Sequence, residues 1–219
     1  MSCSCCANKQ PSLVYILFYK FMRFCNERIL RYFLWKTHVS SVPPHFVKFK
    51  SIKEYKDKFD LNILVETGTY LGDTVIKARG CFKEIYSIEL DDDLFNKAKE
   101  KFNCFKDIHI LRGDSAQVLP QVTAEINKPA LFWLDAHYSG GITSGDAELS
   151  PIVKEVENVL KANNLEHVLL IDDAHLFNGQ HGYPDMQFLD KLIRKYRPEW
   201  NVYLENNIIR AHSKNKINH

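Results

Sequence analysis

Short apolar segments alternate with helix-like segments along the chain from residue 60 onwards. Turn-forming or charged residues follow the apolar segments, which lie at 63–65, 84–89, 108–111, 130–134 and 168–171. Such short apolar runs are typical of buried strands. Between them the apolar residues recur at helical spacing, which predicts helices over 74–79, 94–102, 151–161 and 185–196, with a short helix from residue 115.

The order of these elements predicts the fold class. Strands that alternate with helices form a mostly parallel, doubly wound α/β sheet with helices on both faces. Two further apolar segments, at 200–205 and 208–211, flank Asn206 and Asn207. Because asparagine favours tight turns, these segments predict a C-terminal antiparallel hairpin.

The first 58 residues differ in charge from the rest of the chain. They contain 11 Lys and Arg against 3 Asp and Glu, whereas residues 59–219 contain 18 against 24. The whole chain has a net charge of only +2, so total charge does not indicate a nucleic-acid partner. The division instead predicts a basic N-terminal arm (1–58) joined to an acidic domain (59–219).

The arm is rich in aromatic residues, and its charges follow a helical repeat. Lys20, Arg23, Glu27 and Arg31 are spaced so that one helical face would carry them, with apolar side chains on the other faces. The apolar stretch before Lys20 is shorter than the roughly 20 residues that a membrane-spanning helix needs. No signal-peptide cleavage pattern follows it, so the sequence predicts an amphipathic helical arm rather than a secretory signal.

Two interpretations of this arm remain open. The helix packs on its own domain or forms a homodimer with a second copy of the chain, or it lies at an anionic membrane surface with Cys3, Cys5 and Cys6 as acylation sites. The six cysteines show no zinc-ligand spacing with histidines. We therefore expect reduced thiols in a cytoplasmic protein, with peripheral membrane contact under the second interpretation.

Acidic residues stand at the ends of all five predicted parallel strands. They are Glu66, Glu89, Asp114, Asp135 and the pair Asp172 and Asp173. Ligands of open α/β sheets bind at the carboxyl ends of the strands, so this edge of the sheet is the expected binding site. Helix capping accounts for single acids of this kind, including Asp91–Asp93, but chance does not explain an acid at every strand end.

The first of these strand ends continues into a glycine-containing turn, Glu66-Thr-Gly-Thr-Tyr-Leu-Gly72. Glycine lets backbone N–H groups approach a ligand closely, and the N-terminus of the following helix adds partial positive charge. Two glycines at this spacing are weak evidence by themselves, because glycines end many strands. The acids at the later strand ends strengthen the prediction of a nucleotide-type ligand.

From Leu61 to Ala211 these motifs resemble the class I S-adenosylmethionine-dependent methyltransferases, which have a Rossmann-like fold. The glycine-containing turn resembles their first motif, Glu89 resembles the acid that ends their second strand, and Gly113-Asp114-Ser115 resembles their adenine-side motif. The pattern is closest to metal-dependent O-methyltransferases of the catechol, caffeoyl-coenzyme A and macrocin types. These share an Asp after strand four and paired acidic or amide residues after strand five.

The resemblance implies a role for each residue around the cofactor, S-adenosylmethionine (SAM). Glu89 would bind the two ribose hydroxyls, because one carboxylate can accept hydrogen bonds from both. Asp114 and Ser115 would face the adenine. The other predicted cofactor residues are Gly68, Tyr70, Gly72 and Thr74, which would line the pocket for the amino-acid end, together with Glu66 and Asp135.

Asp135, Asp172 and Asp173 are expected to converge from two neighbouring strand ends. Their carboxylate oxygens suit Mg²⁺, with water and substrate oxygens completing its coordination. Three crowded carboxylates repel one another without a cation, so we expect either a metal ion or a raised pKa. A metal ion at this position would lower the pKa of a substrate hydroxyl and orient it for methyl transfer.

We assign the catalytic chemistry to Asp135 and His137. The imidazole of His137 could take the proton of the substrate hydroxyl, since the unperturbed pKa of histidine is about 6.5. Catechol-type enzymes carry a lysine three positions after the Asp, where this chain has Tyr138, so this assignment departs from their pattern. His175 is an alternative base.

These observations predict a SAM-dependent methyltransferase that carries out metal-assisted O-methylation of a small hydroxylated acceptor, such as a sugar or a phenol. One alternative is a metal-independent methyltransferase that acts on another acceptor, for example a nitrogen. A second alternative is a non-catalytic, membrane-tethered binding module with the same fold. No basic and aromatic pattern in the predicted domain indicates nucleic-acid recognition.

Overall fold

The computed structural model describes residues 27–37, 42–135, 150–162, 165–180 and 182–214. Contacts divide the chain into two compact units, residues 1–44 and residues 45–219. The predicted acylation sites at Cys3, Cys5 and Cys6 lie outside the described residues, as does His137.

In the first unit, residues 27–36 form a helix, α1. Its apolar side chains Ile29, Leu30 and Phe33 are exposed. Among the described residues of the whole chain, no helix combines the length and the apolar character needed to cross a membrane. Packing of the arm on another surface and docking of the arm at a membrane both stay predictions.

A seven-stranded sheet forms the centre of the second unit. Its strands are β1 (Ile63–Thr67), β2 (Glu84–Glu89), β3 (Ile108–Arg112), β4 (Leu131–Leu134), β5 (Val168–Ile171), β6 (Asn201–Glu205) and β7 (Ile208–His212). Their order across the sheet is β3-β2-β1-β4-β5-β7-β6. Strands β1 to β5 are parallel, whereas β7 is antiparallel to both of its neighbours. The predicted doubly wound sheet and its C-terminal hairpin are confirmed.

Helices cover both faces of this sheet. They are α2 (His45–Phe59), α3 (Asp73–Ala78), α4 (Asp92–Phe102), α5 (Ser115–Glu125), α6 (Pro151–Ala162) and α7 (Met186–Tyr196), with a short 3₁₀ helix at Ala174–Leu176. Alternate residues of the strands enter opposite cores. Leu64 and Trp133 pack with α2, α3 and α4, whereas Val65 and Phe132 pack with α5, α6 and α7.

The strand order places a crevice at the end of β1. This strand pairs with β2 on one side and with β4 on the other, so the direction of winding reverses between β1 and β4. Glu66 is in register with Ser87 of β2 and with Trp133 of β4, which brings the three strand ends to the same level. Ligands of doubly wound sheets bind at such a reversal point.

Helix α2 belongs to the core of the second unit. Its residues Ile52, Tyr55 and Phe59 are almost fully buried and pack in the same core as β1 and β4. The sequence placed the boundary of the arm after residue 58, which falls at the end of this helix, whereas the compact unit begins at His45. Lysines lie between the buried residues of α2, and because of their positive charge the sequence assigned this segment to the basic arm.

Replacing Ile52 by alanine tests the membership of α2 in the core. Removing a fully buried aliphatic side chain leaves a cavity, and we expect the free energy of unfolding to fall by about 2–5 kcal/mol in urea titrations. Glu54→Ala, at an exposed position of the same helix, is the matched control and should change stability by no more than about 0.5 kcal/mol. Equal, small effects of the two substitutions would contradict the packing of α2 on the sheet.

Candidate functional site

The turn after β1 is held in a conformation that glycine favours. Gly68 and Gly72 have φ angles of 86° and 73°, and Tyr70 between them has a φ of 48°. A Cβ atom at Gly72 would lie 2.7 Å from the ring of Phe102, so packing against α4 also requires a glycine there. A Cβ atom at Gly68 would lie 3.6 Å from the Cβ of Asp135, which places the turn directly beside the end of β4.

Glu89 is fixed at the end of β2, next to this turn. One carboxylate oxygen accepts a hydrogen bond from the backbone N–H of Tyr70 at 2.7 Å, and the other accepts from the N–H of Asp91 at 3.0 Å. The side chain therefore links the glycine-containing turn to the N-terminus of α4. Each carboxylate oxygen has a second lone pair, so both can still accept from a ligand hydroxyl.

Glu66 lies beneath the turn and is 1% exposed. The hydroxyl of Ser87 donates to one of its oxygens at 2.6 Å, and Thr69 lies 2.6 Å from the same hydroxyl. Burial raises the pKa of Glu66 to about 8, because the hydrogen bond from Ser87 only partly offsets the loss of hydration and the charge of Asp135 adds to it. At neutral pH this carboxyl group is therefore largely protonated.

The end of β3 carries the predicted adenine-side residues. Asp114 caps α5 by accepting a hydrogen bond from the N–H of Ala116 at 2.9 Å. The hydroxyl of Ser115 donates to the carboxyl group of Glu155 on α6. Both residues follow β3, and their described contacts give them structural roles. Their role at the adenine stays a prediction.

Glu155 of α6 is 2% exposed and was not among the residues that the sequence predicted at the site. Burial raises its pKa to about 7, against the opposing hydrogen bond from Ser115, and the charges of Asp114 and Asp135 add to the rise. A signal was present in the sequence, because Glu155 lies on the face of α6 that also carries the buried Ile152 and Val156. An acid on the apolar face of an amphipathic helix indicates a buried polar contact.

The structure brings Asp135, Asp172 and Asp173 together at the ends of β4 and β5. One carboxylate oxygen from each lies within 4.8 Å of the others. Asp173 has a left-handed backbone with a φ of 52°, and its N–H donates to Asp172 at 2.8 Å. We call these three residues the acid cluster.

Lys48 of α2 was also not predicted, and its ammonium group lies at the acid cluster. It donates to a carboxylate oxygen of Asp172 and lies 3.5 Å from an oxygen of Asp173. Burial alone would lower the pKa of Lys48, but the carboxylates, Asp172 first, hold it above its ordinary value. No sequence signal identifies this lysine, because α2 carries several lysines at similar spacing.

The pKa of Asp172 is raised to about 6. Burial is the main cause, the charge of Lys48 opposes it, and the charge of Asp173 adds to it. The sequence predicted either a metal ion or a raised pKa among the crowded carboxylates, and it did not predict a lysine at this position. In the structure, both a lysine ammonium group and a raised pKa are found.

A pocket opens between α2 and the acid cluster. Residues that line it include His45, Lys48, Thr74, Trp133, Asp135 and Asp172. Two members of the acid cluster, Asp135 and Asp172, line it together with the apolar side chains of Phe49, Ile52 and Trp133. Because Asp135 contributes to this pocket and also lies against the glycine-containing turn, the two features adjoin each other.

Of the two histidines predicted as general bases, only His175 lies among the described residues. His137 lies in the segment 136–149, outside the described residues. His175 is exposed, and its backbone N–H donates to the side chain of Asn207 at 2.8 Å, with its ring in contact with the same side chain. These contacts give His175 a role in holding the turn of the C-terminal hairpin.

The shifted pKa of Glu66 predicts how stability depends on pH. The folded protein keeps this proton from about pH 4.5, the ordinary pKa, up to about pH 8, whereas the unfolded chain loses it. Because only the unfolded chain ionises Glu66 in this range, the free energy of unfolding falls as pH rises from about 4.5 to about 8. We expect Glu66→Gln to remove this contribution and to flatten the pH profile by at most about 1.4 kcal/mol per pH unit.

Urea titrations at a series of pH values measure this difference. Glu84→Gln changes an exposed carboxylate at the start of β2 and should leave the profile of the wild type unchanged. Parallel profiles for Glu66→Gln and the wild type would show that Glu66 does not keep its proton in the folded state.

Comparison with known proteins gives a likeness of fold. No family model and no curated protein sequence matches the chain. A structure described as a proposed caffeoyl-CoA O-methyltransferase from Staphylococcus aureus aligns with a TM-score of 0.54 and 14% identity, over 90% of this chain and 99% of that one. The SAH-bound methyltransferase PaMTH1 from Podospora anserina aligns with a TM-score of 0.53 and 11% identity, over 96% and 100% of the two chains.

The N-methyltransferase NodS from Bradyrhizobium japonicum WM9 aligns with a TM-score of 0.51 and 10% identity, over 77% of this chain and 94% of that one. These structures differ in the acceptor atom that their names indicate, so the likeness does not identify an acceptor. What they share with this chain is the arrangement of strands and helices. The chain has the Rossmann-like fold of class I methyltransferases, as the sequence predicted.

Proposed function

We propose that the protein is a SAM-dependent methyltransferase that methylates a hydroxyl group of a small acceptor, such as a sugar or a phenol. The observation that carries this proposal is that a fixed carboxylate and a glycine-containing turn adjoin an acid-lined pocket at the reversal point of the sheet. The first two suit a nucleoside cofactor, and the pocket suits a second, hydroxylated molecule.

The cofactor side of the site depends on Glu89. Its two backbone hydrogen bonds hold the carboxylate in one orientation, so it is ready to accept from the two adjacent hydroxyls of a ribose. Gly68 and Tyr70 on the turn would meet the amino-acid end of the cofactor, and Asp114 would meet the adenine. The SAH bound in PaMTH1, which has the same fold, supports a cofactor of this kind.

The acceptor side of the site is the pocket beneath α2. Asp135 lines this pocket and contacts the glycine-containing turn, so an acceptor in the pocket would lie next to the cofactor. Trp133 and Phe49 offer apolar surface, and the acid cluster offers acceptors for hydroxyl groups. Methyl transfer is an in-line displacement, so we expect this positioning to supply much of the rate enhancement.

The acid cluster can also hold a divalent cation. Its donors are three carboxylate oxygens, the ligand type that Mg²⁺ prefers, and their spacing allows them to converge on one ion. Asp135, Asp172 and Asp173 would hold the ion, which when bound would lower the pKa of the acceptor hydroxyl. In the metal-assisted form of the proposal, His137 takes the proton, as the sequence suggested.

A metal-independent methyltransferase is the second candidate, and the position of Lys48 favours it. The ammonium group already supplies positive charge to Asp172 and Asp173. The same residue could stabilise developing negative charge on an acceptor oxygen in the pocket that it lines. Activity in the presence of EDTA separates this candidate from the metal-assisted form.

Calorimetric titration of SAM and SAH into the full-length protein, with Mg²⁺ or with EDTA, tests the proposed cofactor. We expect micromolar binding of at least one of them, followed by transfer of labelled methyl from SAM to a panel of phenols and sugars. Binding without transfer to any nucleophile would favour a non-catalytic binding module. Absence of binding under all conditions would contradict the proposal.

Glu89→Ala tests the ribose contact. Loss of a hydrogen bond to a charged group should weaken SAH binding by about 1.5–3 kcal/mol, measured by the same titration. Glu84→Ala, at the exposed start of the same strand, is the matched control and should bind SAH like the wild type. If a folded Glu89→Ala variant bound SAH with unchanged affinity, Glu89 would not contact the cofactor.

A further inference from the structure

We propose that Lys48 is the resident counter-ion of the acid cluster, so that a divalent cation binds these carboxylates only by displacing its ammonium group. This acid cluster belongs to the site of the proposed function, and only the effect of the lysine on catalysis rests on that function. Metal binding can be measured without SAM or an acceptor. The inference can therefore fail or succeed independently of methyl transfer.

The position of the ammonium group is the first observation. It donates to one oxygen of Asp172 and lies 3.5 Å from an oxygen of Asp173. Mg²⁺ holds its ligands at about 2.0–2.1 Å, so oxygens bound to one ion lie within about 4.2 Å of each other. The oxygens of the acid cluster lie within 4.8 Å of one another, so a small approach would let them bind one ion, which would be close to the ammonium group.

Two cations cannot share this position without strong repulsion. The side chains of Asp172 and Asp173 are at most 3% exposed, and that of Lys48 is 14% exposed, so water screens the charges poorly. A divalent cation therefore has to push the ammonium group away from Asp172. The free energy needed to separate Lys48 from Asp172 therefore weakens the binding of the metal ion.

The attachment of Lys48 to the core is the second observation. The residue lies on α2, between the buried Val47 and Ile52, and this helix packs on the sheet. The ammonium group is therefore present at the acid cluster at a high effective concentration, whereas a free metal ion must bind from solution. Mg²⁺ also loses its water ligands reluctantly, which further favours the tethered cation.

Lys48→Met tests the inference by removing the ammonium group alone. Methionine keeps an unbranched apolar chain of similar length without the charge. The readout is Mn²⁺ affinity of the metal-free, full-length protein, measured by electron paramagnetic resonance in the absence of SAM and acceptor. We expect the dissociation constant for Mn²⁺ to fall at least about tenfold relative to the wild type. Lys48→Arg retains the positive charge and should bind Mn²⁺ as weakly as the wild type.

A matched control distinguishes displacement from a general change of charge. Lys77 lines the same pocket but, within the described part of the chain, forms no ion pair with the acid cluster. Lys77→Met should therefore change Mn²⁺ affinity much less than Lys48→Met. Adding Asp172→Ala to Lys48→Met should abolish the gain, because alanine has no oxygen to bind the metal ion.

Two results would overturn the inference. One is a Lys48→Met protein, folded by circular dichroism, that binds Mn²⁺ no more tightly than the wild type. The other is an equal gain for Lys77→Met. If Lys48→Met does not fold, Lys48→Gln provides a polar replacement for the same measurement, and the same two results decide the question.

Discussion

Crowding of carboxyl groups at one edge of the sheet is the constraint on which the site depends. The parallel strands end at the same edge of the sheet, and the acids Glu66, Glu89, Asp172 and Asp173 are buried there. Three kinds of interaction reduce the repulsion between these carboxyl groups. Backbone N–H groups donate to Glu89, burial keeps Glu66 protonated, and the ammonium group of Lys48 pairs with Asp172.

These three solutions divide the edge into regions with different chemistry. Around Glu89 two backbone N–H groups fix the carboxylate, and its oxygens stay available to a ligand. Around Glu66 a neutral acid supports the turn from below and leaves the local charge low. At the acid cluster three carboxyl groups lie together with the ammonium group of Lys48, so a further cation or a polar substrate there would meet charged groups directly.

The sequence predicted the sheet, most helices and the acids at the strand ends, because these depend on local periodicity and on the chain order of strands. It could not predict the contact between Lys48 and Asp172, which are separated by 124 positions. From sequence, the lysines of α2 are typical of a helix exposed to solvent, and only the structure shows that one face of this helix is buried. Glu155 was overlooked for a related reason, since its burial depends on how α6 packs against Ser115.

The pairing of Lys48 with Asp172 also constrains how this sequence can diverge. Loss of the lysine alone leaves buried negative charge without compensation, and loss of the aspartate alone leaves a buried ammonium group without its partner. Each single change is therefore costly, whereas a joint change to two neutral residues is much less so. Homologous sequences should therefore keep or lose both residues together, unless a bound metal ion replaces the charge of the lysine.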